Sequence, residues 1–114
     1  MARFASVAEF SPAGTVIAPG TVNSNPIKTE AAKDARAFVH VTVVGAGATL
    51  DIEVQISHDL TRWATVAAFN QITATGDYVL PLPEEKLGTH TRLRYVGAVD
   101  SVTLQAVLEK KTGV

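Results

Sequence analysis

Leu50-Asp51-Ile52-Glu53-Val54-Gln55-Ile56-Ser57 decides the fold. Its apolar side chains recur at every second residue, and acidic or polar ones fill the gaps. In an extended chain successive side chains point to opposite faces, so this octet makes a strand with one dry and one wet face. A helix would scatter the same four residues around its circumference. Working outward, Val102, Leu104, Ala106 and Leu108 alternate with Thr103, Gln105 and Glu109, and Leu93 and Tyr95 alternate with Arg92 and Arg94. Tyr78, Leu80 and Leu82 share a face. The run from Phe38 to Val44 is rich in β-branched residues, with Val39, Val41 and Val43 on its drier side and His40 and Thr42 opposite. Trp63 to Phe69 reads as a further strand. Breakers fall between these runs: Gly45-Ala46-Gly47, which reads as a hairpin turn; His58 to Arg62; Thr75-Gly76-Asp77; the loop holding Glu84 and Glu85, bracketed by Pro81, Pro83 and Gly88; and Gly97 to Ser101. Short strands at this spacing predict an all-β, antiparallel, jelly-roll-like sandwich of seven or eight strands.

The first 35 residues are less regular. Thr15 to Ala18 suits an edge strand, Gly20 to Pro26 is turn-rich, and Glu30 to Ala35 suits one helical turn. The expected organisation is one domain, with an irregular N-terminal arm and edge strand over 1–35 and the sandwich core over 36–114. The arm's apolar residues Phe4, Val7, Phe10, Val16 and Ile17 have no obvious strand register. They are therefore expected to meet a partner or a sister subunit, and removal of residues 1–20 is expected to leave the sandwich folded.

Composition narrows the function. A chain of 114 residues is the size of one domain, and 46% hydrophobic against 18% charged residues suits a packed core. The net charge of −1 and the scatter of Lys and Arg among acids argue against nucleic acid, which a basic stripe would recognise. No cysteine is present, so disulfides and thiolate chemistry are excluded. No signal peptide and no run of about 18 apolar residues is read, so no membrane partner is expected.

Candidate chemistry is sparse. Ser57-His58-Asp59 contains the residue types of a hydrolytic triad, but consecutive residues of an extended chain diverge, and it reads as a polar turn with Asp59 bonded to nearby backbone. His40, His58 and His90 lack the close spacing of metal ligands. Glu84-Glu85 are adjacent, whereas glycosidase carboxylates face each other across a sugar. No phosphate-binding glycine motif occurs. Trp63, the one tryptophan, reads as a core anchor, with a sugar-stacking platform as the alternative. Arg92 and Arg94 share a wet strand face and suit either Asp51 or Glu53 on a neighbouring strand or a partner protein. No catalytic residue, metal or cofactor is expected.

The segment from Gln55 to Val66 has the pattern Ser-x-Asp, a short turn, then a Trp that opens the return strand. It resembles a hairpin of discoidin-like carbohydrate-binding domains, which usually carry Asp-Gly where this chain has Asp59-Leu60. It also resembles small virion proteins of tailed phages, in which a Phe-x-x-Ile-Thr-Ala-x-Gly stretch (here Phe69 to Gly76) and an Arg-x-Arg strand (here Arg92 to Arg94) follow in order. The resemblance covers about residues 49 to 108. It implies a non-enzymatic phage structural protein of the capsid decoration (cement) type. Such a protein is made in the host bacterial cytoplasm, sits on the virion surface and binds the major capsid protein lattice, often as a homotrimer. The alternatives are a carbohydrate-binding sandwich module and a tail or baseplate component. Val7, Val16, Arg92 and Arg94, with Phe4, Phe10 and Ile17, are the residues expected to meet a partner.

Overall fold

The computed structural model describes residues 6–30 and 32–112. Phe4, expected at a partner surface, lies outside them. Among the described residues the chain forms nine strands: β1 Ser6–Ile17, β2 Gly20–Asn23, β3 Ile27–Lys28, β4 Ala32–Val44, β5 Thr49–Ser57, β6 Ala64–Ala68, β7 Gly76–Pro83, β8 His90–Ala98 and β9 Val102–Thr112. Period-two patterning becomes burial over most of these strands, but at the end of β5 it reverses, with Gln55 and Ser57 buried and Ile56 only partly so. Leu50, Ile52 and Val54 of β5 point inward and are fully buried, as are Val102, Leu104, Ala106 and Leu108 of β9 and Leu93 of β8. Asp51 stays exposed on the opposite face of β5.

The strands build two antiparallel sheets. One has the order β1-β9-β4-β7; the other has β2-β8-β5-β6, with β3 also pairing with β8. The pairs nest: β5 with β6, β4 with β7, β2 and β3 with β8, and β1 with β9. Such wrapping of pairs around an inner hairpin is the jelly roll, and the eight longer strands supply it. The core lies between the sheets. Tyr95 is the largest fully buried side chain, and its hydroxyl meets the Ser11 hydroxyl across the core at 2.8 Å. Burial pushes the Tyr95 phenol up to about 12, although the Ser11 bond pulls the other way.

Several expectations need correction. The segment read as an irregular arm is woven into both sheets. β1 pairs along β9, and Phe10 and Ile17 are buried at 1% and 3% exposure. Register shifts between Glu9 and Ser11 and between Ser11 and Thr15 break the period of two, which hides the strand from a pattern search. Ala32 to Ala35, expected in a helical turn, instead begin β4, which pairs with β9. Gly45-Ala46-Gly47 is a turn but closes no hairpin, since β4 and β5 lie in different sheets. Val43 is 55% exposed rather than dry, because a register shift after Val41 turns it outward.

Candidate functional site

The β5–β6 hairpin is a self-locked turn. Ser57 Oγ accepts the backbone N–H groups of Asp59 (3.2 Å) and Leu60 (2.9 Å), and Asp59 Oδ1 accepts those of Thr61 and Arg62, both at 2.9 Å. The Arg62 and Thr61 N–H groups hold the Asp59 carboxyl below its usual pKa. The Ser57 hydroxyl also donates to Asp59 Oδ1 at 3.1 Å. Ser57 and Asp59 are thus spent on the backbone, and no triad forms with the exposed His58. Leu60 takes a left-handed conformation, φ 63°, which glycine adopts more readily than a residue with a Cβ.

A cleft of about 330 Å³ opens beside this turn, walled by Ile56, Ser57, His58, Asp59, Arg62, Trp63 and Ala64. Trp63 is not the core anchor expected: it is half-buried and belongs outside the core cluster. Counting back from the Ile56–Ala64 pair places it opposite Ser57, on the outer face of the sheet. The Arg92 guanidinium lies over its ring, 4.1 Å from the centroid, and Arg92 Nε donates to Gln55 Oε1 at 2.9 Å. Desolvation first, and then the positive charge of Arg94, pull the Arg92 pKa down. Arg94 pairs with Glu53 at 2.7 Å. Of the two partners open to these arginines, the neighbouring strand therefore supplies one to each: Gln55 for Arg92 and Glu53 for Arg94.

The other outer surface, on the β1-β9-β4-β7 sheet, is different. Val7, Val16, Val43 and Val79 project from it at 63%, 59%, 55% and 49% exposure. The strand registers put Val16 and Val43 on either side of Thr103, and Phe38 between Val107 and Val79. Charges on this face meet one another, Arg36 Nε with Glu109 at 2.7 Å and Lys111 with Asp34 at 3.3 Å, and the His40 ring meets the Asp77 carboxylate. Of the residues expected to meet a partner, Val7 and Val16 lie here, Arg92 and Arg94 lie on the opposite sheet, and Phe10 and Ile17 are inside the core. The sequence reading missed Val79 and misplaced Val43. Val79 was legible, since Tyr78 and Leu80 flank it on the drier face of β7.

The remaining candidates disperse. His40 sits on β4, His58 at the hairpin tip and His90 on β8, and among the described residues no group of three His, Asp or Glu side chains is placed to hold a metal ion. Glu84 and Glu85 are exposed in a short 3-10 turn, with Glu84 paired to Lys33 at 3.3 Å. No helix among the described residues is long and apolar enough to cross a membrane.

No protein-family model matches the chain, and no curated protein matches it in sequence. Its fold is similar to that of solved structures. PBSX exported protein XepA matches over 96% of this chain and 38% of its own length, with a TM-score of 0.67 and 13% identity. A chain of infectious bursal disease virus Gt strain matches over 94% of this chain and 32% of its own, with a TM-score of 0.56 and 15% identity. A chain of the Gx strain gives 93%, 31%, 0.53 and 17%. The chain thus spans about a third of the length of each, and the likeness at these identities is one of fold.

Proposed function

We propose that this chain is a non-enzymatic structural protein of a phage virion, decorating the capsid by binding its outer shell lattice. The observation that carries the reading is the outer face of the β1-β9-β4-β7 sheet. It shows exposed valines on three strands, among charges that are already paired. Apolar side chains there lose water on contact, at roughly 25 cal/mol per Å² buried, and paired charges need not find new partners. Many weak contacts of this kind become firm when copies assemble on a repeating lattice. In this reading the chain acts as a homo-oligomer, a trimer, with that face toward the shell. The fold likeness to the infectious bursal disease virus chains supports it, as does the resemblance of the Trp63 hairpin, shared with discoidin-like domains, to one in small phage virion proteins.

Purified virions test the proposal. The chain should co-purify with heads in a fixed ratio to the major capsid protein, and light scattering of the free chain should give the mass of three copies. Its absence from purified particles, or its presence on tails alone, would contradict the proposal.

A further inference from the structure

The cleft beside the β5–β6 hairpin lies on the opposite sheet from the exposed valines, so a ligand there is independent of shell binding. Its wall includes the aromatic Trp63 and, from the turn, His58 and Arg62. The indole is held from a residue that is not part of the wall: Arg92 packs over the ring and is itself fixed by Gln55. The ring therefore keeps its orientation whether or not the cleft is filled. The turn is fixed as well, by the Ser57 and Asp59 bonds to backbone N–H groups. A site prepared in this way loses little conformational freedom on binding.

Charge narrows the ligand. Among the described residues the Arg62 guanidinium and the His58 imidazole have no hydrogen-bonding partner. The one carboxylate in the wall, Asp59, has Oδ1 turned to backbone N–H groups and the Ser57 hydroxyl. Arg62 thus offers a planar fork of donors, suited to a carboxylate, beside a flat aromatic wall. The volume of about 330 Å³ lies at the small end of ligand sites, which favours a single ring. We infer that the cleft binds a pyranose bearing a carboxylate, with the C–H face of the sugar on Trp63 and its carboxylate on Arg62. A neutral sugar would use the indole and leave the guanidinium idle.

The chain carries one tryptophan, so tryptophan emission excited on the long-wavelength side of tyrosine absorption reports this site alone. The probes are methyl β-D-glucuronide, its neutral counterpart methyl β-D-glucoside, and uridine monophosphate as an anionic ring of another class. The glucuronide should change Trp63 emission saturably and bind about tenfold tighter than the glucoside, the worth of one charge-assisted contact. Arg62 is exposed, so Arg62→Gln should fold normally and bring the two sugars within about twofold of each other, the lost preference being that same contact. No saturable change with the glucuronide overturns the inference. So does equal binding of the two sugars, a preference that survives Arg62→Gln, or tighter binding of the nucleotide.

Discussion

Leu60 sits at the tip of the β5–β6 hairpin with φ 63° and its side chain half in water. A left-handed conformation costs a residue with a Cβ about 1–2 kcal/mol, and glycine avoids the clash but has more freedom to lose on folding. Leu60→Gly should therefore raise stability by about 0.5–1 kcal/mol, read from the denaturant midpoint. A loss would mean that the Leu60 side chain makes a contact that outweighs the strain. Tyr95 offers a second test. Its folded pKa lies above the unfolded value of 10.0, so the neutral phenol is the form the core holds. The resulting stability is fully present below pH 10.0 and is lost as the pH rises toward about 12. Tyr95→Phe should flatten that alkaline decline. At neutral pH it should cost about 1–2 kcal/mol, because the buried Ser11 hydroxyl loses its partner. At this scale the sequence was a partial guide. The polar turn at Ser57-His58-Asp59 was legible because Ser and Asp bond nearby backbone. Trp63 was not placed correctly, because a lone indole at a strand start suits either face of a sheet and the Arg92 that holds it lies far along the chain, on β8.

Strands with an unbroken period were legible, and those with bulges were not. In β9, and in β5 as far as Val54, alternation separates buried residues from less buried ones; at the end of β5 it fails, because Gln55 and Ser57 are buried and Ile56 is only partly so. In β1, Pro12, the register shifts and Gly14 at φ 85° scramble it, so only its end, from Thr15, read as an edge strand and the rest passed for an arm. Deleting residues 1–20 removes Phe10 and Ile17 from the core and strips β9 of a neighbour, so the truncated chain should unfold or fold far less stably. Loss of one buried Phe side chain alone costs about 3–5 kcal/mol, a large share of a small domain's stability. Circular dichroism during thermal melting checks this; a cooperative transition near that of the full chain would contradict it. The bulge in β4 has a further consequence, because it turns Val43 out of the core to join Val16 across Thr103.

The whole molecule presents two unlike faces. The outer side of β2-β8-β5-β6 holds Glu53, Gln55, Arg92, Arg94 and Trp63, whereas the outer side of β1-β9-β4-β7 carries Val7, Val16, Val43 and Val79; the other exposed valines, Val22 and Val99, lie on β2 and in the β8–β9 turn. Alternation foretold a wet side for each sheet, but not that the two would differ, because that depends on which strands share a sheet. The pairing of β4 with β9 and β7, rather than with β5, assembles the valine face, and no local pattern encodes it. Val43→Glu and Val79→Glu change exposed positions, so each should alter stability by no more than about 0.5 kcal/mol. Together they should remove shell binding, because glutamates would have to be desolvated against the partner. The direct test is sedimentation of the purified chain with shells assembled from the major capsid protein alone. The wild-type chain should pellet with the shells to saturation, and the double variant should remain in the supernatant. A wild-type chain that stays in the supernatant, or a double variant that pellets equally well, would contradict the account.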